Sequence, residues 1–468
     1  MSFFRKSESI KKSVPLFSSR ALVKLIVPLF LQQVLTVMVG AVDTMMVSDA
    51  GEAAVSGVSL VNSLDTFLVI FFTAMVSGGS VVVAQKLGEK DINGISETAK
   101  QLLYIATALA VTLSVAVISL RQPLLSLLFG EAEADVMQSA QNYFFFIAMS
   151  FPFLAVSFSC GACFQAAGNS VVPLTVSIIS NVVNIVGNAI LIYVCGLGAA
   201  GAAIATLISR IVNSSIQLVL LHNKKYEVHL ERLLHYRPDF KTIKRMLHIG
   251  IPNGIENAMF QLGRLLTQTL ISGLGTSVIA ANAVALTLAN FQYMTGTACS
   301  SAMVPIVGRC IGAKEKEQAK SYSRKILLIN YGALWIVAAV TVVFVGPLVG
   351  LYGLEGESAM MATKMILYHS LVASLIWPIG FMLPSAFRAA SDVRFPMLVS
   401  MLSMWILRVA GAYVLSLESI SVFGMFSIPG LNMGITGVWL AMFSDWVVRV
   451  GIYIWRYFGG SWLKMKKY

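Results

Sequence analysis

The chain has 468 residues, of which 57% are hydrophobic and only 12% charged, with a mean hydropathy of +0.78. A soluble protein carries about a quarter charged residues, so a water-soluble fold is excluded. The formal net charge of +12 lies in alternate loops rather than in one patch, which argues against a nucleic-acid partner and for membrane lipid.

Apolar runs, each long enough to cross a bilayer core of roughly 30 Å, recur along the whole chain. The short alternating segments of a β-barrel do not appear. The first twenty residues are basic and polar. The run that follows them is too long for a signal-peptide core, so no cleavable signal is expected. Twelve spans are predicted, near 22–47, 55–85, 100–120, 137–163, 170–194, 199–221, 246–272, 278–309, 324–345, 361–387, 396–417 and 434–457. Basic residues fall before the first span (Arg5, Lys6, Lys11, Lys12, Arg20), in the even-numbered loops (Lys86, Lys90 and Lys100; Lys224 to Arg245; Arg309 to Lys325; Arg388 and Arg394) and after the last span. Odd-numbered loops such as "SDAGEAA" and "YGLEGES" are acidic. This alternation puts both termini in the cytoplasm of a multi-pass protein, expected in a bacterial plasma membrane.

The sequence repeats itself. Pro28, Gly51 and Gly88 recur as Pro252, Gly275 and Gly312 at a common offset of 224. "FQAAGNSVVP" (164–173) returns as "FRAASDVRFP" (387–396), and "GAAGAAIA" (198–205) as "GITGVWLA" (434–441). The later drift in offset reflects a longer loop, roughly 418–432, in the second half. Six spans per copy is an even number, so both copies enter the membrane from one side. The expected fold is an all-α membrane protein of twelve transmembrane helices in two six-helix bundles, related by a pseudo-two-fold axis along the membrane normal. The lobes are 1–221 and 246–468, joined by a charged cytoplasmic linker at 222–245.

A few polar residues break the apolar pattern. Asp43, in "VGAVDTMMV", is a carboxylate within the first span. A charge at that depth costs a few kcal/mol on insertion scales and belongs to an ion pathway or a helix–helix hydrogen bond. In the fifth span Asn181, Asn184 and Asn188 recur every three or four residues, on one helical face. Such amides serve as hard oxygen ligands or as glue between helices. Asp65 in the second span lines a cavity or sits as a solvated charge near the outer interface. In the seventh span Glu256 reads as a cavity residue or as a charge near a helix start. Gln261 is a further cavity candidate, and the deeper Arg264 calls for a carboxylate or carbonyl partner. Met294, one of 22 methionines, suits a promiscuous pocket. Arg408, Asp445 and Arg449 read as structural ion pairs, and His369 as a hydrogen-bonded histidine. "CGAC" (160–163) lacks the strand-to-helix context of a redox motif. No "GxxxxGK[ST]" motif and no clustered His/Asp/Glu set occurs, so neither an ATP-driven pump nor an enzyme is expected.

Several stretches together resemble the MATE (multidrug and toxic compound extrusion) family. They are Pro28 followed by "GAVDTMMV", "AQKLGEKD" (84–91), "FQAAGNSVVP", "SNVVNIVGNAILIY" (180–193), "GLGAAGAAIAT" (196–206) and "GIPNGIENAMFQLGRLL" (250–266). The resemblance spans nearly the whole chain. It implies a V-shaped cavity between the lobes and export of organic, cationic or amphipathic compounds against a Na+ or H+ gradient, with no other cofactor. It also implies a cation site at Asp43, Asn184, Asn188 and Thr206, with Asp43, Asn184 and Asn188 as the Na+ ligands if sodium is the coupling ion. Relatives with a coupling acid in the seventh or tenth span differ from this chain, which has Phe260 at the deeper seventh-span position and no acid in the tenth. A monomer is expected. The alternative is a flippase or exporter of a lipid-linked or other polar metabolite within the same superfamily.

Overall fold

The computed structural model describes residues 15–130, 132–231, 233, 236–422 and 426–464. Twelve long helical spans run through the described residues. The first six are α1 (Ser19–Ser48), α2 (Glu52–Glu89), α3 (Ile92–Phe129), α4 (Ala134–Ala166), α5 (Val171–Val194) and α6 (Gly198–Leu221). After the linker come α7 (Phe240–Ser272), α8 (Thr276–Gly312), α9 (Lys316–Val343), α10 (Gly356–Ala389), α11 (Arg394–Ser416) and α12 (Gly434–Phe458). In lipid every backbone N–H and C=O must be satisfied within the segment, and apolar runs of this length meet that demand only as helices. Ten of the twelve are long and apolar enough to cross a membrane by composition alone. The other two, α7 and α8, are interrupted by buried polar residues such as Asn253, Glu256, Asn282 and Gln292.

Three spans contain π-helical turns: Ala189–Val194 ends α5, Pro378–Met382 interrupts α10, and Ser403–Ala410 occupies the middle of α11. Pro378 accounts for the second, because proline removes a backbone donor. Two expectations change. The linker is shorter than 222–245, because α7 begins at Phe240 with Asp239 as its N-cap. The longer second-half loop holds a small antiparallel hairpin, β1 (Ser419–Val422) on β2 (Phe426–Pro429), with Ser419 opposite Pro429.

The repeat is visible in the backbone. Gly51, before α2, has φ +101°, and Gly275, before α8, has φ +106°, a region open to glycine but strained for residues with a Cβ. Lys90 and Lys314, which follow α2 and α8, both have positive φ. Each lobe has its own core, with Phe72, Phe144 and Phe151 in the first and Trp377, Trp439 and Trp446 in the second. A third cluster joins them: Leu22, Leu25, Ile26 and Leu29 of α1 pack with Ala298, Ala302 and Ile306 of α8.

The lobes meet at the end of the bundle that carries the termini. There α2 and α8 pass so closely that a Cβ on Gly88 would lie 2.1 Å from the Arg309 carbonyl oxygen, and one on Gly312 would lie 1.9 Å from that of Gln85. Small residues allow this backbone approach. Polar contacts reinforce it. Gln85 donates to the Ala389 carbonyl at 2.7 Å and accepts from Arg245, and Asn253 donates to Ser77 at 2.8 Å. Toward the opposite end Val37, Met38 and Met45 of α1 and Leu262 and Leu265 of α7 are exposed. The close backbone approaches between the lobes named above lie toward the terminal end.

Candidate cation and substrate site

α1 and α5 lie side by side, and this contact joins Asp43 to the Asn face. Asn188 donates from Nδ2 to Asp43 Oδ1 at 2.7 Å. One turn earlier on α5, Asn184 donates to Thr206 Oγ1 of α6 at 3.4 Å, and Thr206 in turn donates to the Ala202 carbonyl. Asn184 and Asn188 are 4% and 1% exposed, whereas Asp43 is half-buried. The amide oxygens of both asparagines are buried and accept no hydrogen bond. Buried carbonyl oxygens are rarely left without a donor. These two oxygens and the half-exposed carboxylate are hard acceptors of the kind that a cation or, at Asp43, a proton would take. Asn181 is on the same side of α5 but only partly buried, and makes no hydrogen bond among the described residues. No cluster of three or more His, Cys, Asp or Glu placed to hold a metal ion occurs among the described residues.

Asp65 corrects both sequence readings. It neither lines an open cavity nor sits solvated at the outer interface. Its Oδ2 accepts from Arg210 Nη2 of α6 at 3.1 Å, and both side chains are largely buried. Arg210 also donates to Ser150 at 2.7 Å. Arg210 was missed in the sequence, although an arginine in mid-span calls for an acid partner. Behind this pair, Asn213 links Ser157, Ser180 and Gln217 in a hydrogen-bonded network between α4, α5 and α6.

Glu256 is likewise neither a cavity residue nor a charge at a helix start. α7 begins well before it, and its Oε1 accepts from Arg388 at 2.9 Å and from Ser400 at 2.7 Å. Met294 is buried on α8 rather than open to a pocket. Gln261 is partly buried and makes no hydrogen bond among the described residues. Arg264 is exposed and has no carboxylate or carbonyl partner among them, contrary to expectation.

The second lobe has a different interior. Asp445 and Arg449, four residues apart on α12, form a buried ion pair at 2.6 Å. Arg408, expected in such a pair, instead stands over the Phe260 ring at 5.6 Å. Tyr293, Trp377 and Phe381 stack in a ladder, with centroid separations of 5.2 and 5.3 Å. His369 is hydrogen-bonded, its Nε2 lying 2.6 Å from the Tyr293 hydroxyl. The residue equivalent to Asp43 is Thr267, whose hydroxyl donates to the Gly263 carbonyl. Cys160 and Cys163 are buried free thiols.

Outside the spans, the linker drapes over the ends of α3 and α8. Tyr104 donates to the Leu233 carbonyl, Gln101 to that of Arg237, and Arg309 pairs with Glu227. Asp91, before α3, is held below the usual carboxylate range, first by the Gly94 N–H and then by the Lys86 ammonium.

Comparison with known proteins shows the family and the fold. The MatE family profile matches residues 28–190 and 252–414, one copy per lobe. The chain is 24% identical over 460 residues to "Uncharacterized transporter YisQ" of Bacillus subtilis (strain 168), covering 96% of each. It is 25% identical over 456 residues to "Probable multidrug resistance protein NorM" of Thermotoga maritima, covering 95% of this chain and 93% of that one. Its fold is similar to a solved structure described as the outward-facing conformation of a multidrug resistance MATE family transporter. The TM-score is 0.83 at 19% identity, over 95% of this chain and 96% of that one. A profile matched twice, at the period of the internal repeat, over two lobes of six helices, establishes that this chain belongs to the MatE family of membrane transporters.

Proposed function

We infer that the chain is a secondary antiporter that couples inward movement of Na+ or H+ at Asp43 to export of organic, cationic or amphipathic compounds. The observation carrying this reading is the acid of α1 held by Asn188 beside two buried amide oxygens that accept nothing. Such a site is costly in a membrane unless a cation repays it. The multidrug resistance names of the NorM relatives support a broad organic substrate range. The alternation of basic loops supports cytoplasmic termini and hence an outward-open form, because the lobes close at the terminal end.

Residues 1–221 and 246–468 then rock about their shared contact within a monomer. The cation favours one access state and the substrate the other. Coupling requires that the two ligands differ in affinity for the two states. The test is transport of a fluorescent organic cation by the purified chain in proteoliposomes, with Na+ and pH gradients imposed separately. Accumulation driven by one gradient is the expected result. Failure of both would refute the reading.

A further inference from the structure

The two lobes differ in the sign of the charge each leaves outside an ion pair. In the first lobe Asp65 is neutralised by Arg210, and Asp43 remains outside an ion pair. In the second, Glu256 is neutralised by Arg388 and Asp445 by Arg449. Arg264 and Arg408 are left over, with no hydrogen bond or ion pair among the described residues. Arg264 is exposed, Arg408 is half-buried, and Arg408 Nε is buried without an acceptor.

Phe260 lies one turn before Arg264 on the same face of α7. Its ring faces the guanidinium of Arg408 at 5.6 Å and that of Arg449 at 5.7 Å. Arg408 lies within electrostatic reach of Asp445, and also of Arg449 and Arg264, so three arginines face one carboxylate here. An aromatic face offsets only part of the repulsion among them. An uncompensated arginine within a span costs several kcal/mol and normally has a counter-charge. The carboxylate within reach, Asp445, is already paired with Arg449, so it leaves Arg264 and Arg408 without a counter-charge of their own.

The geometry points to an anion-binding subsite at the mouth of the second lobe, formed by Arg264 and Arg408 beside Phe260, for the carboxylate, sulfonate or phosphate of an amphiphilic substrate. The guanidinium groups hold the acid, and the ring faces the apolar body attached to it. As a substrate subsite this rests on the export reading, and it adds an acidic group to the compounds carried.

Binding is measured with radiolabelled 2-naphthalenesulfonate on the full chain in phosphatidylcholine nanodiscs. Saturable binding is expected, weakened about tenfold or more by Arg264→Gln and by Arg408→Gln, the scale of a lost charge-assisted hydrogen bond. Arg264→Lys should largely retain it, and Arg264→Glu should abolish it. Because Arg264 is exposed, its variants should keep the wild-type thermal unfolding, which separates lost binding from misfolding. Adding phosphatidylglycerol to the nanodiscs distinguishes the sources. Displacement of the probe assigns the subsite to an anionic headgroup, and retained binding assigns it to a soluble organic anion. No binding by the wild type, or equal binding by all the arginine variants, would overturn the inference. Asp43→Asn should bind the probe normally while losing coupled transport, so failure of the export reading and failure of this subsite give different results.

Discussion

Closure of the lobes at the terminal end depends on two glycines, and an added methyl group tests it. In Gly88→Ala the new Cβ would start 2.1 Å from the Arg309 carbonyl oxygen, and in Gly312→Ala 1.9 Å from that of Gln85. Both obstacles are backbone atoms, so the overlap is relieved only by moving α2 away from α8. Overpacking of this kind costs about 1–3 kcal/mol. The cost falls only on the state in which these ends touch. At about 1.4 kcal/mol per factor of ten, the ratio of terminal-end-open to terminal-end-closed molecules should rise roughly 5- to 150-fold. The assay is pulsed electron resonance between spin labels at Asn93→Cys and Glu317→Cys, both exposed near the ends of α2 and α8, with Cys195 replaced by serine. The long-distance population should grow in either glycine variant. Alanine at Gly332, where an added methyl would meet nothing within 4 Å, should leave it unchanged. Distance distributions identical to wild type in both glycine variants would refute the closure argument.

Other expectations follow from the ion pairs and caps. Removing one partner of the Asp65–Arg210 pair strands a buried charge. Asp65→Asn or Arg210→Met should therefore lower the thermal midpoint markedly, by an amount equivalent to about 3 kcal/mol, and the double replacement should recover much of it in a double-mutant cycle. Tyr293→Phe removes the 2.6 Å hydrogen bond to His369 Nε2. It should destabilise the second lobe by about 1–2 kcal/mol in the same melts, without changing cation dependence. Asp91 titrates below its unfolded value, so its contribution is present above that value and is lost as pH falls through the folded one. Asp91→Asn should therefore lower stability modestly at neutral pH, leave it unchanged in acid, and so flatten the acid limb below about pH 4. Asn188→Leu leaves Asp43 without its donor and removes one of two buried amide oxygens, so cation-dependent protection against unfolding should be lost.

The spans were legible because a bilayer leaves an apolar run few choices, and the two-fold was legible because Pro28, Gly51 and Gly88 return at one offset. The Asn face of α5 could also be read, since its spacing is a property of a single helix. The ion pairs could not. Asp65 and Arg210 are 145 residues apart, and Glu256 and Arg388 are 132 apart. Single-span reading therefore left Asp65 and Glu256 looking like free charges when each is already ion-paired through one oxygen. The opposite error occurred at Arg264, where a partner was expected and the helix instead presents a free charge. The aromatic ladder of the second lobe was missed for the same reason, since Tyr293 and Trp377 come from different helices and meet only after packing.

The most direct test of the account is Asp43→Asn, compared with wild type in the same proteoliposomes under an imposed Na+ or pH gradient. Asparagine preserves the size and the hydrogen bond to Asn188 but holds neither a proton nor a full counter-charge. The account predicts normal folding and a gradient-driven export rate reduced to background. Gradient-driven export at the wild-type rate by the variant would contradict it.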